Sequence, residues 1–148
     1  MLGNVISIMA ALIWCAMASS AMGQVAAAEL VTVAQGAMSN IEEPRQVVVR
    51  TTGEWQALWK EHDAQRAAPV VDFTKSIVVA VFLGTRPTAG FAVEITAVRT
   101  EASRAVLEYR ERRPPRDALT AQILTSPFHV VRFARTEGSV EFRRVDGP

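Results

Sequence analysis

The chain has 148 residues, sixteen basic and fifteen acidic, with a formal net charge of +1 at pH 7. A charge so close to zero gives no electrostatic reason to expect nucleic acid or an anionic membrane surface as partner. The single cysteine is Cys15, so the rest of the chain has no disulfide, no thiolate nucleophile and no cysteine ligand for a metal.

The first predicted element is a secretion signal. Residues 5–18 are almost all apolar or small, and Ala26-Ala27-Ala28 supplies the small residues that a signal peptidase requires. The apolar run is shorter than the roughly 20 residues that span a bilayer. The sequence therefore predicts a cleaved signal peptide at 1–28, with an uncleaved anchor as the alternative, and a single domain at 29–148. The protein is expected to be secreted or periplasmic, without an integral membrane span after cleavage.

A short β-branched strand at 46–50 precedes the only predicted helix. Thr51 and Glu54 have the spacing of a capping box at a helix N-terminus. Large side chains then recur at i, i+3, i+4 and i+7, as on the buried face of an amphipathic helix. That face comprises Trp55, Leu58, Trp59 and His62.

The remainder of the chain has the patterns of β-strands. Residues 77–83 form an apolar run without proline or glycine, as in a central strand covered on both faces. The segments 91–98 and 104–112 alternate as half-buried strands do, and 119–124 is ambiguous but plausible as a strand. Residues 128–135 and 139–145 are predicted to form a hairpin. The fold class is therefore α+β, mainly β: a small antiparallel sheet or an open barrel or sandwich of about six strands, with one early amphipathic helix.

The sequence offers no convincing catalytic or metal site. Ser126 and His129 are three residues apart at the start of a predicted strand, and this odd spacing would place them on opposite faces. His62 has no second histidine one turn further on and is interpreted as a residue at the edge of the core. His129 is interpreted as a half-buried strand residue. We expect no enzymatic activity, no metal and no cofactor. An enzyme of another type would require Asp72, His129 and Arg86 to converge on one pocket.

Two proline-containing turns, at 84–91 and 125–129, are the predicted surface for a protein partner, because stiff loops lose little entropy on binding. Arg86 has two interpretations, since its guanidinium can hold a carboxylate or carbonyl of a partner or the carbonyls of its own loop. The candidate partner-binding residues are Arg86, Pro87, Thr88, Gly90, Phe91, Ser126, Pro127 and Phe128.

The order of the motifs resembles the PrcB C-terminal domain family. The helix motif Trp55-x-x-Leu58-Trp59-x-x-His62 is followed by Val71-Asp72-Phe73, by the strand 78–84, by the loop and strand 86–95 and by Thr125-Ser126-Pro127-Phe128. Ala89 and Phe91 stand where the family usually has glycine and tyrosine. The resemblance implies an exported accessory subunit that binds and stabilises a secreted, subtilisin-like protease.

A second, shorter resemblance concerns the loop 86–91 alone. It looks like the Pro-Thr-Thr-Gly-Tyr/Phe loop of chagasin-type cysteine protease inhibitors. The Arg-Pro-Trp loop of those inhibitors is absent from this sequence. The alternative function is therefore a chagasin-like protease inhibitor that presents the 84–91 loop.

Overall fold

The computed structural model describes residues 26–101 and 103–147, so most of the predicted signal peptide lies outside the described residues. The elements in chain order are β1 (Ala26–Ala27), β2 (Val31–Gly36), β3 (Arg45–Val49), α1 (Thr52–His62), β4 (Ser76–Phe82), β5 (Ala92–Glu101), β6 (Arg104–Arg112), β7 (Phe128–Ala134) and β8 (Ser139–Arg144). Within this part of the chain, no helix is long and apolar enough to cross a membrane.

The strands form two four-stranded sheets. One has the order β1-β5-β6-β8 and the other has the order β2-β7-β4-β3. The pairs are antiparallel, except that β6 and β8 run parallel. Apolar side chains of the two sheets share one core, so the sheets pack face to face. The mainly β, α+β prediction is confirmed, and the sheets form an open sandwich with a helix on its outside.

Strand β4 is the centre of the domain. All seven of its residues are buried, as the apolar run predicts. Because side chains alternate along a strand, Ile77 and Val79 pack between the sheets, whereas Val78, Ala80 and Phe82 pack under the helix. The molecule thus has three layers, the helix, one sheet and the other sheet, with β4 in the middle layer.

The helix begins and packs as its sequence predicts. The Thr51 side chain accepts from the Glu54 backbone N–H at 3.2 Å, and the Glu54 carboxylate accepts from the backbone N–H of Thr51, also at 3.2 Å. The four residues of the predicted face are buried. Both indoles also donate to the following loop, from Trp55 Nε1 to Pro69 O and from Trp59 Nε1 to Arg66 O, each at 2.9 Å.

The predicted hairpin at the C-terminus is wrong. Strand β7 pairs with β2 on one side and β4 on the other, so it has no free edge for β8. Strand β8 therefore crosses to the other sheet and pairs in parallel with β6, from Arg104↔Ser139 to Tyr109↔Arg144. Arg50 holds this crossing by donating to the backbone carbonyls of Thr136 and Gly138.

The segment 26–28 pairs with β5. Ala26 lies opposite Thr100, Ala27 lies opposite Arg99, and the Ala28 backbone N–H donates to Val98 O at 3.0 Å. Cleavage after Ala28 would remove these contacts, whereas cleavage before Ala26 would retain them. The signal peptide itself, and with it export, remains a prediction.

Candidate functional site

The two predicted turns lie side by side in the structure. Residues 84–91, here called the Gly84 loop, connect β4 of one sheet to β5 of the other. Residues 113–127, here called the connector, join β6 to β7. Arg86 and Thr125 form an isolated antiparallel bridge, in which the Arg86 N–H donates to Thr125 O at 2.7 Å and the Thr125 N–H donates to Arg86 O at 3.0 Å. Residues that are far apart in sequence therefore form one two-loop surface.

Further contacts fix the Gly84 loop against the connector. The Thr125 hydroxyl donates to Thr88 O at 3.0 Å, and the Ala89 backbone N–H donates to Ala121 O, also at 3.0 Å. Gly90 has a φ of 92°, and a Cβ there would lie 2.9 Å from Cβ of Pro114. The close approach of the two segments therefore requires glycine at this position.

Arg86 anchors its own loop. Its Nη1 donates to Leu83 O at 2.7 Å, and its Nε donates to Glu111 Oε1 at 3.2 Å. These contacts agree with the interpretation that its guanidinium holds the carbonyls of its own loop. The pocket that Arg86 lines contains neither Asp72 nor His129, so the convergence that an enzyme would need is not found there.

The predicted contact residues differ in exposure. Pro87 and Gly90 are exposed, and Arg86, Thr88 and Phe91 are half-buried. In contrast, Ser126, Pro127 and Phe128 are buried in the interior of the domain. The Phe128 ring packs 4.2 Å from the His62 ring, and Pro127 O accepts from the Leu83 backbone N–H at 2.9 Å. These three residues offer no exposed side chain to a partner, so the accessible part of the predicted surface is the Gly84 loop.

The connector supplies exposed apolar residues that sequence reasoning missed. Leu119 is fully exposed, and Ile123 and Leu124 are 55% and 67% exposed. The stretch 119–124 was plausible as a strand, but it has no regular secondary structure. A structureless connection of fifteen residues is unusual in a compact domain and is often functional. In the sequence, this connector could be recognised as a segment that contains large apolar residues but has neither strand nor helix periodicity. It is bounded by Pro114-Pro115 and Pro127.

His129 is a buried structural residue that links the two sheets. Its Nδ1 accepts from the Ile95 backbone N–H at 2.8 Å, so that nitrogen carries no proton and Nε2 donates to the Thr32 hydroxyl at 3.0 Å. Burial lowers the pKa of His129 below its usual value of 6.5. Burial likewise lowers the pKa of His62, whose Nδ1 lies 2.7 Å from Ser39 Oγ. Both shifts favour the neutral imidazole in the folded domain.

Because of these two histidines, we expect the domain to be less stable at acidic pH. Below about pH 6.5 the unfolded chain binds more protons at the two imidazoles than the folded chain does. The free energy of unfolding therefore falls by up to about 1.4 kcal/mol per pH unit for each histidine. The loss begins near pH 6.5 and continues down to the lowered pKa values. Urea unfolding at pH 7.5 and pH 5.5 measures it, and His129→Gln should reduce the difference. Equal urea midpoints at the two pH values would contradict the buried, neutral state.

Comparisons with known proteins support the motif-based resemblance. The family model described as PrcB C-terminal matches residues 77–134. This match confirms the predicted PrcB C-terminal resemblance over residues 77–134. The matched segment extends from the central strand β4 through the Gly84 loop and the connector to the end of β7, so it includes the whole two-loop surface. No curated protein and no solved structure matches the chain.

At the level of the family, the match supports a PrcB-like domain associated with a protease complex. No group of three or more His, Cys, Asp or Glu side chains that could hold a metal ion is found among residues 26–101 and 103–147. The structure adds two features to the family match. They are the two-loop surface and the exposed apolar side chains of Leu119, Ile123 and Leu124.

Proposed function

We propose that the chain is an exported, non-catalytic binding module that serves as an accessory or stabilising subunit of a secreted protease or a similar protein complex. The observation that carries the proposal is the two-loop surface, on which Leu119, Ile123 and Leu124 are exposed beside the Gly84 loop. A partner protein that covers these side chains removes apolar area from water at a gain of roughly 25 cal/mol per Å².

The rigidity of the Gly84 loop supports this role. Backbone hydrogen bonds join it to the connector at Arg86 and Ala89, and a further one joins Thr85 N–H to Glu42 O at 2.9 Å. A loop that is already ordered loses little conformational entropy when a partner binds. Pro87 and Gly90 at its tip are exposed, so a partner can reach it.

Affinity capture with matched variants tests the proposal. The exported chain is immobilised and exposed to the secreted and periplasmic proteins of the producing organism, and the retained proteins are identified and quantified. The test variant is Leu119→Ser, Ile123→Ser and Leu124→Ser. The control is Met38→Ser with Val70→Ser, because these two apolar residues are also exposed but belong to neither loop. We expect a stoichiometric partner that is retained by the wild type and the control and lost by the test variant.

A protease assay separates this role from the chagasin-like alternative. When the protein is added to the protease at an equal molar amount, we expect papain-like and subtilisin-like activity to be unchanged. We also expect it to prolong the lifetime of its partner. Loss of papain-like activity with dose would favour the inhibitor instead. Equal recovery of every protein by the wild type and the test variant would contradict the assignment of the two-loop surface.

A further inference from the structure

Strand β8 forms one edge of its sheet. It comes last in the strand order β1-β5-β6-β8, and among residues 26–101 and 103–147 its only strand partner is β6. A strand at a sheet edge leaves one row of backbone N–H and C=O groups without a partner, and a strand of another chain can pair with that row. Four of the six residues of β8 are exposed and the other two are half-buried, so another chain can reach this edge.

The pairing of β8 with β6 identifies the backbone groups that face the open edge. Tyr109 lies opposite Arg144, and the Val145 N–H donates to Tyr109 O at 2.8 Å. In a parallel pair, every second residue of a strand directs both its N–H and its C=O to the neighbouring strand, and the residues between them direct both groups away. Val145 belongs to the set that bonds to β6. The residues of β8 whose backbone groups face the open edge are therefore Val140, Phe142 and Arg144.

The side chains of β8 divide between the two faces of the sheet. Val140 and Phe142 pack against the core between the sheets. Because side chains alternate along a strand, Glu141 and Arg143 lie on the outer face, where both are exposed. Glu141 Oε2 lies 3.2 Å from Nη1 of Arg104 on β6, and its Oε1 lies 3.2 Å from Nη2 of Arg143. The outer face thus presents one acidic and one basic side chain at the open edge, two residues apart.

This spacing makes β8 complementary to a second copy of itself in one antiparallel register. When the register is centred on Phe142, Glu141 of each copy lies opposite Arg143 of the other copy. These are the non-hydrogen-bonded positions, where opposed side chains lie closest. A shift of the centre by one residue places Glu141 opposite Glu141 or Arg143 opposite Arg143, and like charges directly opposite each other are destabilising. Registers centred nearer either end pair fewer residues of β8.

We propose that two copies of the chain pair through β8 about a twofold axis at Phe142, which joins two four-stranded sheets into one of eight strands. The backbone groups of Phe142 in the two copies bond to each other, and those of Val140 bond to Arg144 of the second copy. Glu141 and Arg143 form two ion pairs across the axis. A single strand pair buries less surface than a standard protein interface of about 1,600 Å², so the dimer dissociates on dilution.

Sedimentation equilibrium with charge-reversed variants tests the pairing. We expect the wild type to be monomeric at about 1 µM and mostly dimeric at about 1 mM. Glu141→Arg and, separately, Arg143→Glu place like charges opposite each other twice, so each should weaken dimerisation roughly 10-fold or more. An equimolar mixture of the two variants should associate like the wild type, because each acidic side chain of one variant then opposes a basic side chain of the other. Each variant is first compared with the wild type by its amide spectrum to confirm that it is folded.

Glu101→Arg is the matched control for charge reversal. Glu101 Oε2 lies 2.9 Å from Nη2 of Arg104, so this variant makes the same charge change beside the same arginine as Glu141→Arg does. Glu101 belongs to β5, which β6 separates from β8. The control should therefore dimerise like the wild type.

Amide hydrogen exchange locates the contact without any substitution. The N–H groups of Val140, Phe142 and Arg144 should exchange roughly 3-fold or more slowly at about 1 mM than at about 1 µM, because only the dimer supplies acceptors for them. The N–H groups of Glu141 and Arg143 bond to β6 in either state. They should be protected at both concentrations.

A wild type that stays monomeric at about 1 mM would overturn the proposal. So would a Glu141→Arg variant that dimerises like the wild type, or a mixture of the two variants that does not recover association. A dimer in which the three outward amides exchange as fast as in the monomer would place the contact elsewhere and would also overturn it. The proposed function would stand after any of these results, since the capture experiment depends on the connector residues Leu119, Ile123 and Leu124, which lie outside β8.

Discussion

Replacing Trp55 by alanine should destabilise the domain by about 3–5 kcal/mol, which is a large share of the stability of a domain of this size. The Trp55 side chain is 1% exposed and lies with its ring centre 5.2 Å from that of Trp59. Its Nε1 also donates to Pro69 O at 2.9 Å, so the alanine variant leaves both a cavity and an unpaired carbonyl. Urea unfolding followed by far-ultraviolet circular dichroism measures the loss, because the substitution removes an indole fluorophore.

A second variant separates the two causes. Trp55→Phe retains an aromatic ring in the core but removes the hydrogen bond to Pro69 O, so we expect it to be less destabilised than Trp55→Ala. If Trp55→Ala unfolds at the same urea concentration as the wild type, α1 does not pack on the sheet as described. The consequence for function is indirect, since the helix covers the face of β4 opposite the other sheet.

Replacing Gly84 by alanine should cost roughly 1–3 kcal/mol, because the backbone there has a conformation that side chains disfavour. Gly84 has a φ of 74°, and a Cβ would lie 2.7 Å from the backbone N of Pro44 and 2.8 Å from Glu42 O. Both neighbours are backbone atoms and cannot move aside without shifting the loop. The Gly84 loop begins at this residue, so we also expect its contacts with the connector to weaken.

The matched control is Gly53→Ala, in the first turn of α1. A Cβ at Gly53 meets nothing within 4 Å, and alanine favours a helix, so this variant should be neutral or more stable by up to about 1 kcal/mol. Urea midpoints of the two variants and the wild type provide the comparison. A Gly84→Ala midpoint equal to that of Gly53→Ala would show that positive φ and close approach do not constrain the loop.

Features determined by neighbouring residues could be predicted from the sequence. The capping box at Thr51 and Glu54, the buried helix face and the doubly covered strand β4 all follow from spacing over a few residues. The motif order also predicted the PrcB C-terminal family, which the match over 77–134 confirms. In each case the local pattern and the tertiary structure favour the same arrangement.

Features determined by distant residues could not be predicted in this way. The proximity of residues 128–134 and 139–144 in sequence favoured a hairpin, but β2 and β4 occupy both edges of β7, and this pairing becomes visible only when the sheets are assembled. The same holds for the site. The pairing of Arg86 with Thr125 joins the two predicted turns. The next three residues, Ser126, Pro127 and Phe128, are buried in the core.

The exposed residues of the connector illustrate a different limit. Apolar residues are usually interpreted as core, and the sequence left the segment with Leu119, Ile123 and Leu124 ambiguous, with a strand as a plausible structure. Their exposure follows from the route of the connector, whose backbone supports the Gly84 loop at Ala121 and Thr125. An exposed apolar segment that is held in place by backbone hydrogen bonds is a feature that a protein partner can use.

The affinity of the captured partner for variants of the two-loop surface tests the central claim most directly. We predict that Leu119→Ser, Ile123→Ser and Leu124→Ser together weaken binding by roughly 100-fold or more, as expected when apolar residues at the centre of an interface are truncated. The control, Met38→Ser with Val70→Ser, should bind like the wild type. Equal affinity of the test variant and the wild type for the purified partner would contradict the claim that this surface binds it.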